Sequence, residues 1–461
     1  MDRIFEERKQ LVLNECRIEP EAFEGLEQRL TAFVEPFAAR LTRCEQRQHC
    51  QTYVAGLLSD VQRKNTESIA YRHDQDRRNL QRFLGESEWD HRPLMDELAR
   101  QVGSHLGEPD GVIMLDPSGF CKKGEHSVGV KRQWLGRVGK IDNGQVGVYL
   151  GYASRTEHAL VDFRLYLPKE WSADRDRCRS CGVPSQVRYR KRQTLALEML
   201  KSRRATLPHA WITADEEFGR DSGFREDLRD LQERYLLVAP ANLVVRDLEA
   251  APLPGKRKVS FRNIRALVAA QPDSAWTRIN VRDGAKGPLV VEIFTRRVQG
   301  KLKRRGNGPE ELLVASRTRD AEGRVQDVAY HFSNASPDTP RTELARVVKT
   351  GHRIEECLQR GKSEAGLADY EVRTWHGWHH HQALSLIATW FLTLETLRGE
   401  KNAPDDDRLT APRHPRATAA PYLRLPPPRL DRPPRAAPRR AYRAGPPLSL
   451  QETATVSATT G

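Results

Sequence analysis

The stretch GVIMLDPSGFCKKG (residues 111–124) decides the fold, because four apolar residues lead directly into a single aspartate, Asp116. A short apolar run bounded by turn residues is typical of a buried β-strand. An ionised carboxylate is costly to bury alone, so Asp116 needs a base, a metal ion or solvent beside it. A second apolar run, AWITA, leads in the same way into Asp215. The sequence therefore predicts two buried strands that each end on a carboxylate.

Helical stretches alternate with strand-like runs on both sides of Asp215, which predicts that at least part of the sheet is parallel. We expect an α/β fold in which a mixed sheet is flanked by helices. The carboxyl ends of parallel strands lie at one edge of a sheet, so Asp116 and Asp215 should come within a few ångströms of each other. Two bare carboxylates at that distance repel, and a shared divalent cation relieves the repulsion.

The pattern divides the chain into five segments. A continuous amphipathic helix is expected over residues 342–362, because its apolar residues recur at helical intervals. The last segment is rich in proline and arginine and has no periodic apolar face, so we expect it to be disordered. The predicted segments are a helical N-terminal DNA-binding domain (1–105), the first part of the core (106–249), a β-rich basic insertion (250–335), the second part of the core (336–400) and a disordered tail (401–461).

The charge balance favours an anionic partner. Against 62 acidic residues the chain carries 76 lysines and arginines, a formal net charge of +14, and nucleic acid is the default partner for such a balance. No apolar run approaches the length of a membrane span, and the charged start lacks the apolar core of a signal peptide. The seven cysteines are odd in number and scattered, which fits a reducing compartment. We expect a cytoplasmic protein without membrane contact.

A third acid, Glu355, lies on the predicted helix, and Lys362 follows about two turns later on the same face. Two aspartates and a glutamate can hold two Mg²⁺ or Mn²⁺ ions about 4 Å apart, the arrangement used for phosphodiester hydrolysis and strand transfer. Hard oxygen ligands select these metals over zinc. The expected metal ligands are therefore Asp116, Asp215 and Glu355.

Several long motifs carry a resemblance to a known family. LDPSGFCKKGEHSVGVKRQW, HALVDFRLYLPKEW, ITADEEFGRD and RIEECLQRGKSEAGLADYEVRTWHGWHHH occur in this order. Over roughly residues 20–395 the chain resembles the DDE insertion-sequence transposases of bacteria, in particular insertion-sequence family seven-oh-one. The resemblance implies an RNase H-like core with Asp116, Asp215 and Glu355 as catalytic triad, and Lys362 in contact with phosphate near the cut. It also implies a β-rich insertion before the glutamate.

The same resemblance implies an enzyme that binds double-stranded DNA, both the terminal inverted repeats and the target, and that pairs the ends as a homodimer. Relatives often carry a tyrosine and an arginine before the glutamate, where this chain has Val348 and Gly351, and an acid where it has Pro117. These departures leave a second reading open, a catalytically decayed relative that acts as a DNA-binding protein or repressor. A third reading is a nuclease that acts on RNA–DNA hybrids.

Basic residues in three places are candidates for DNA phosphate contact. The run in the insertion is the favoured candidate, whereas each of the other two sets could equally be a solvated surface. One set follows Asp116, the second is a dense run in the insertion, and the third lies on a helix of a possible helix-turn-helix. The candidates are Lys122, Lys123, Lys131 and Arg132, then Arg296, Arg297, Lys301, Lys303, Arg304 and Arg305, and finally Arg77 and Arg78.

Cysteines and histidines form two further clusters. Cys178 and Cys181 form a CxxC pair, but no second ligand pair at zinc spacing follows nearby. The cluster WHGWHHH (375–381) lies at the start of an apolar helix, where packing, capping or DNA contact is the expected role.

Overall fold

The run that begins at Val112 forms the central strand of a large mixed sheet. In the computed structural model, which describes residues 24–282, 288–302 and 306–402, this strand is β1 (Val112–Cys121). It is longer than predicted, because it continues past Asp116 instead of ending there. Its parallel pairing does stop at that point, since Leu115 opposite Ala214 is the last parallel pair.

Five strands form the core of the sheet, in the order β4–β3–β1–β5–β6. β3 is antiparallel to both β4 and β1, whereas β1, β5 and β6 are mutually parallel. Three antiparallel strands followed by two parallel ones make the core RNase H-like, and this confirms the predicted α/β fold with a mixed sheet. The bounds are β3 (Lys140–Ala153), β4 (His158–Tyr166), β5 (Trp211–Ala214) and β6 (Tyr235–Val238).

The same sheet continues into the β-rich segment that follows β6. β12 pairs antiparallel with β6, and the order continues β12–β11–β10–β7–β8, with β9 on the free part of β10. A short strand, β2, pairs with the first part of β3. These strands are β2 (Lys131–Leu135), β7 (Val244–Asp247), β8 (Arg262–Asn263), β9 (Thr277–Arg282), β10 (Leu289–Leu302), β11 (Gly306–Arg319) and β12 (Val325–Ser333).

Helices cover the sheet and fill most of the first hundred residues. In chain order they are α1 (Leu26–Ala38), α2 (Cys44–Leu57), α3 (Thr66–Arg72), α4 (Arg77–Gly85), α5 (Arg92–Leu106), α6 (Lys169–Ala173), α7 (Arg175–Ser180), α8 (Arg192–Arg203), α9 (Glu216–Gly219), α10 (Ser222–Asp230), α11 (Ile264–Ala269), α12 (Arg341–Thr350), α13 (Arg353–Glu364) and α14 (Trp375–Asn402).

The long helix α14 joins the N-terminal helices to the sheet. It packs against β4 on one side and against α2 and α4 on another. The rings of Phe33 and Phe391 lie 5.1 Å apart, and the Arg29 guanidinium pairs with Glu395 at 2.8 Å. One hydrophobic core therefore runs from the first helices to α14. The predicted domain boundaries stay predictions, and the predicted disordered tail lies almost wholly outside the described residues.

The helix expected over residues 342–362 is two helices, α12 and α13, which meet at Gly351 and His352. The Gly351 amide still donates to the Val347 carbonyl at 3.2 Å, but the Glu355 amide donates three residues back, to His352. A β-carbon on Gly351 would lie 3.3 Å from Oγ1 of Thr213 on β5. The helix therefore breaks where the chain lies against Thr213 of β5. None of the described helices is long and apolar enough to cross a membrane.

Candidate active site

The register of the sheet brings Asp116 and Asp215 side by side. Each is the next residue after the last parallel pair, Leu115 opposite Ala214. Helix α13 crosses β1 and β3, and Glu355 lies in its first turn. The charges of Asp215 and Glu355 both act on Asp116, so the structure places the three predicted carboxylates within electrostatic reach of one another.

The pKa values of both aspartates are raised by this arrangement. Burial, followed by the charges of Asp215 and Glu355, raises the pKa of Asp116 well above its usual range, and Lys362 opposes the shift. Burial and the neighbouring charge of Glu217 raise the pKa of Asp215 to about 6. Both shifts mean that the protein alone does not balance the negative charge it gathers here.

Asp215 also begins a helix. Its Oδ1 accepts hydrogen bonds from the amides of Glu217 at 3.0 Å and Phe218 at 3.3 Å, so it is the N-cap of α9. Aspartate is favoured in that position because its side chain satisfies free amides of the first turn. Among the described residues none donates to its Oδ2, which leaves that oxygen for a ligand.

Lys362 lies over the first strand, as its spacing from Glu355 predicts. Its ammonium donates to the Ser118 hydroxyl at 2.7 Å and lies 5.2 Å from the centre of the Phe120 ring. Both partners are on β1, within four residues of Asp116. The lysine therefore brings a positive charge to the carboxylates.

The donor chemistry of the cluster fits a hard divalent cation, because carboxylate oxygens are the ligands that Mg²⁺ and Mn²⁺ prefer. The raised pKa values of Asp116 and Asp215 point the same way, since a cation offsets the repulsion that causes part of each shift. Within the described ranges, however, no three His, Cys, Asp or Glu side chains converge closely enough to form a complete ligand set. The residues nevertheless fit such a cation by the chemistry of their donor atoms.

Three residues of the site were not predicted from the sequence. Arg192, the first residue of α8, pairs through Nη1 with Glu217 Oε2 at 2.6 Å and through Nη2 with Gln133 Oε1 at 3.4 Å. The charge of Arg192 acts on Asp215, and that of Glu217 acts on both aspartates. The signal for Glu217 was its place two residues after Asp215. Arg192 and Gln133 come from distant segments and gave no signal.

The three departures from the resembling family have structural settings. Val348 is buried, and Gly351 lies against Thr213, where a β-carbon would make a tight contact of 3.3 Å with Oγ1. Pro117 lies just beyond the parallel part of β1, so its missing amide leaves no gap in that ladder. Arg353, the arginine nearest in sequence to Gly351, donates to the Thr156 carbonyl at 3.2 Å.

The basic residues after Asp116 differ in their settings. Lys122 donates to the Tyr370 carbonyl at 2.8 Å, its ammonium lies 3.3 Å from the centre of that ring, and burial lowers its pKa to about 8. Lys131 pairs with Glu170 at 2.5 Å. Lys123 and Arg132 are exposed. The exposed pair remains the better candidate for DNA contact within this set.

The two other basic sets are partly neutralised by acids. Arg296 pairs with Glu249 at 3.1 Å, and Arg297 pairs with Glu310 at 2.5 Å. In the N-terminal helices Arg77 pairs with Glu67 at 2.5 Å, while Arg78 is exposed. Only the backbone of Lys301 is described, in β10. The remaining three candidates, Lys303, Arg304 and Arg305, lie outside the described residues.

The cysteines and histidines singled out in the sequence are bonded within the fold. The thiols of Cys178 and Cys181 donate to the carbonyls of Trp171 and His126. The buried rings of residues 379–381 each bond to backbone carbonyls, and Trp378 is fully buried. These contacts are those of packing side chains.

Comparisons with known proteins agree with this geometry. The family model of the DDE superfamily endonucleases matches residues 36–288, more than half of the chain. The chain therefore belongs to the DDE superfamily endonucleases. The matched part contains Asp116 and Asp215 and ends before Glu355.

An individual relative narrows the class. A probable transposase for insertion sequence element IS701 of Microchaete diplosiphon is 25% identical over 324 residues, which are 69% of this chain and 74% of that protein. The resemblance to DDE insertion-sequence transposases is thereby confirmed. The piggyBac transposase, solved by cryo-EM as a synaptic complex with hairpin DNA, matches 80% of this chain and 69% of its own at 9% identity. Its TM-score is 0.39, too low to bear on function.

Proposed function

We propose that this chain is a DNA transposase that cleaves DNA at the ends of its insertion sequence and joins those ends to target DNA. The observation that carries the proposal is the parallel register that ends at Leu115 and Ala214 and so sets Asp116 beside Asp215. Glu355 and Lys362 face the same place from α13. The family and the relative support the same assignment.

The carboxylates and the lysine of the site have separate roles in this proposal. Asp116, Asp215 and Glu355 would hold two Mg²⁺ or Mn²⁺ ions, which activate a water or 3′-hydroxyl and stabilise the leaving oxygen when bound. The N-cap bonds fix the Asp215 carboxylate while leaving Oδ2 free to bind. Lys362, which donates to the Ser118 hydroxyl, would contact a phosphate near the cut. The substrates are double-stranded element ends and target DNA, which a homodimer would pair in the cytoplasm.

A transposition assay in cells tests the whole proposal. A selectable marker is flanked by the DNA on either side of the coding sequence, and the protein is supplied from a second plasmid. We expect the marker to move to a target plasmid, with sequenced joints at the element ends. Asp116→Asn should abolish the movement. Asp230→Asn, which makes the same chemical change at the exposed end of α10, should leave it intact. Movement that survives Asp116→Asn contradicts the assignment.

A second candidate function rests on Gly351 and Val348. Glycine and valine have no side-chain donor for a phosphate. Their presence favours a decayed relative that binds element ends without cutting them. Binding to end-containing duplexes, measured beside cleavage in Mg²⁺ and in Mn²⁺, separates the two functions. Specific binding without cleavage in either metal supports the decayed relative, and cleavage excludes it.

A further inference from the structure

Arg192 lies at the edge of the carboxylate site, and most of the N–H donors of its guanidinium make no hydrogen bond to the described residues. A guanidinium has five N–H donors, and among the described residues only two of them, one to Glu217 and one to Gln133, are engaged. The Cζ atom of its guanidinium lies 4.8 Å from the centre of the Tyr166 ring. The side chain is 18% exposed, so it is fixed in place and still reachable from solvent.

The partners of Arg192 tie it to the catalytic strand ends. Glu217, which binds the guanidinium, also donates its own amide to Asp215, and Gln193 donates to the Glu217 carbonyl at 3.2 Å. Gln133 approaches from β2, on the opposite side of the fork. Two acceptors therefore orient the guanidinium at a set position relative to Asp215, whose pKa Arg192 helps to restrain.

The segment that leads to Arg192 is strongly basic and lies at the surface. Arg188, Arg190 and Lys191 are all exposed, and they directly precede α8. Two of them share their charge with acids, since Arg190 pairs with Glu198 at 2.6 Å and Lys191 lies 4.0 Å from Asp221. Together with Arg192, the segment still carries four cationic side chains in five consecutive residues beside the carboxylate site, and such a basic segment attracts a phosphodiester chain.

We propose that Arg192 binds a DNA phosphate next to the cut site, on the Asp215 side, and that Glu217 and Gln133 are positioning residues for its guanidinium. This inference rests on the proposed function, because it names a phosphate of the same DNA substrate. A planar guanidinium suits bidentate binding of phosphate oxygens, which an ammonium cannot reproduce. Arg192 on α8 thus supplies a guanidinium at a site where the segment between α12 and α13 has Gly351 in place of the arginine of the resembling family.

The test measures binding of end-containing duplexes in EDTA, where cleavage cannot occur. In a series of duplexes, one backbone phosphate at a time around the cut is replaced by a neutral methylphosphonate. We expect the wild type to lose about 10-fold or more in affinity at one position, the range of a charge-assisted hydrogen bond. Arg192→Gln should show that loss on the unmodified duplex and no further loss at that position. Its salt dependence should fall by about one phosphate contact.

Two further variants keep the test decisive. Arg204→Gln, at the other end of α8, removes an arginine that pairs with Glu233 at 3.0 Å and should leave the phosphate pattern unchanged. Arg192→Lys keeps the charge and should keep the salt dependence while losing most of the affinity at the marked phosphate. If Arg192 has only a structural role, the loss of affinity caused by Arg192→Gln and the loss caused by a methylphosphonate should add at every phosphate position. That result would overturn the proposal.

The outcomes separate this inference from the proposed function. A wild type that shows the Arg192-dependent phosphate but never cleaves in Mg²⁺ or Mn²⁺ overturns the proposed transposase activity alone. A wild type that cleaves element ends, with no phosphate whose effect depends on Arg192, overturns the phosphate site alone.

Discussion

Replacing Asp215 with asparagine should make the metal-free protein more stable at neutral pH. The pKa of this carboxyl rises from its ordinary value of 3.8 to about 6 on folding, through burial and the charge of Glu217. Ionising it above pH 6 therefore costs folding free energy. A rise of that size corresponds to at most about 3 kcal/mol, and because the side chain is partly exposed we expect about 1–2 kcal/mol.

Asparagine suits the test because it removes the charge and keeps the cap. Its amide oxygen can accept the same bonds from Glu217 and Phe218 that the aspartate accepts. Asp215→Ala removes both, so it should lose about 1 kcal/mol of the gain through the missing cap. The two variants thus separate the electrostatic cost from the helix-capping benefit.

The assay is thermal unfolding in EDTA at about pH 7.5 and about pH 5. The folded pKa is the higher one, so the penalty is fully present above about pH 6 and absent below about pH 4. The gain of Asp215→Asn should therefore fall by about half at the lower pH. Adding Mg²⁺ or Mn²⁺ should stabilise the wild type and not the variant. An asparagine variant that is no more stable than wild type in EDTA, or equally stabilised by metal, refutes the reasoning, and Asp230→Asn is the control.

Three other substitutions probe the fold and the site. Asp162→Ala should cost about 3 kcal/mol in urea unfolding, because it leaves the buried Arg203, 6% exposed, with the largely exposed Asp96 as its remaining carboxylate partner. The pKa of Asp162 is lowered by Arg164 and Arg203 against the effect of burial, so this cost is present above about pH 4 and shrinks as the pH falls through the folded pKa; an unchanged cost in acid contradicts it. Gly351→Arg should lower stability by about 1–3 kcal/mol through crowding at Thr213 and should not raise cleavage, measured by thermal unfolding and a cleavage assay. Lys362→Met should reduce the cleavage rate by about 100-fold while changing DNA affinity in EDTA far less. Equal losses of cleavage rate and affinity would mean that Lys362 contributes only to DNA binding.

The pairing of Asp116 with Asp215 was accessible from the sequence because it depends on local patterns. Two apolar runs that each stop at an acid, with helices between them, imply parallel strands whose ends meet. That logic needs no knowledge of distant contacts. Its one error concerned β1, which continues to Cys121 because β3 goes on pairing with it after β5 has ended.

The features that sequence patterns missed all depend on tertiary contacts. The break at Gly351 lies where the chain approaches Thr213, whereas the apolar spacing around it suits an unbroken helix. Lys122 reads as a free cation beside Asp116, yet its ammonium lies on Tyr370, which is remote in sequence. Arg192 meets its partners only through the packing of α8 against the sheet. No spacing rule links such segments.

Metal-dependent cleavage of an element end tests the central claim most directly. The substrate is a labelled duplex that spans the boundary between element and flanking DNA, and the proteins are the wild type and the single variants Asp116→Asn, Asp215→Asn and Glu355→Gln. We expect the wild type to cut at the boundary in Mg²⁺ or Mn²⁺ and not in EDTA, and each variant to bind the duplex without cutting it. Cleavage at the boundary by any of the three variants at the wild-type rate would contradict the assignment of these carboxylates as the catalytic centre.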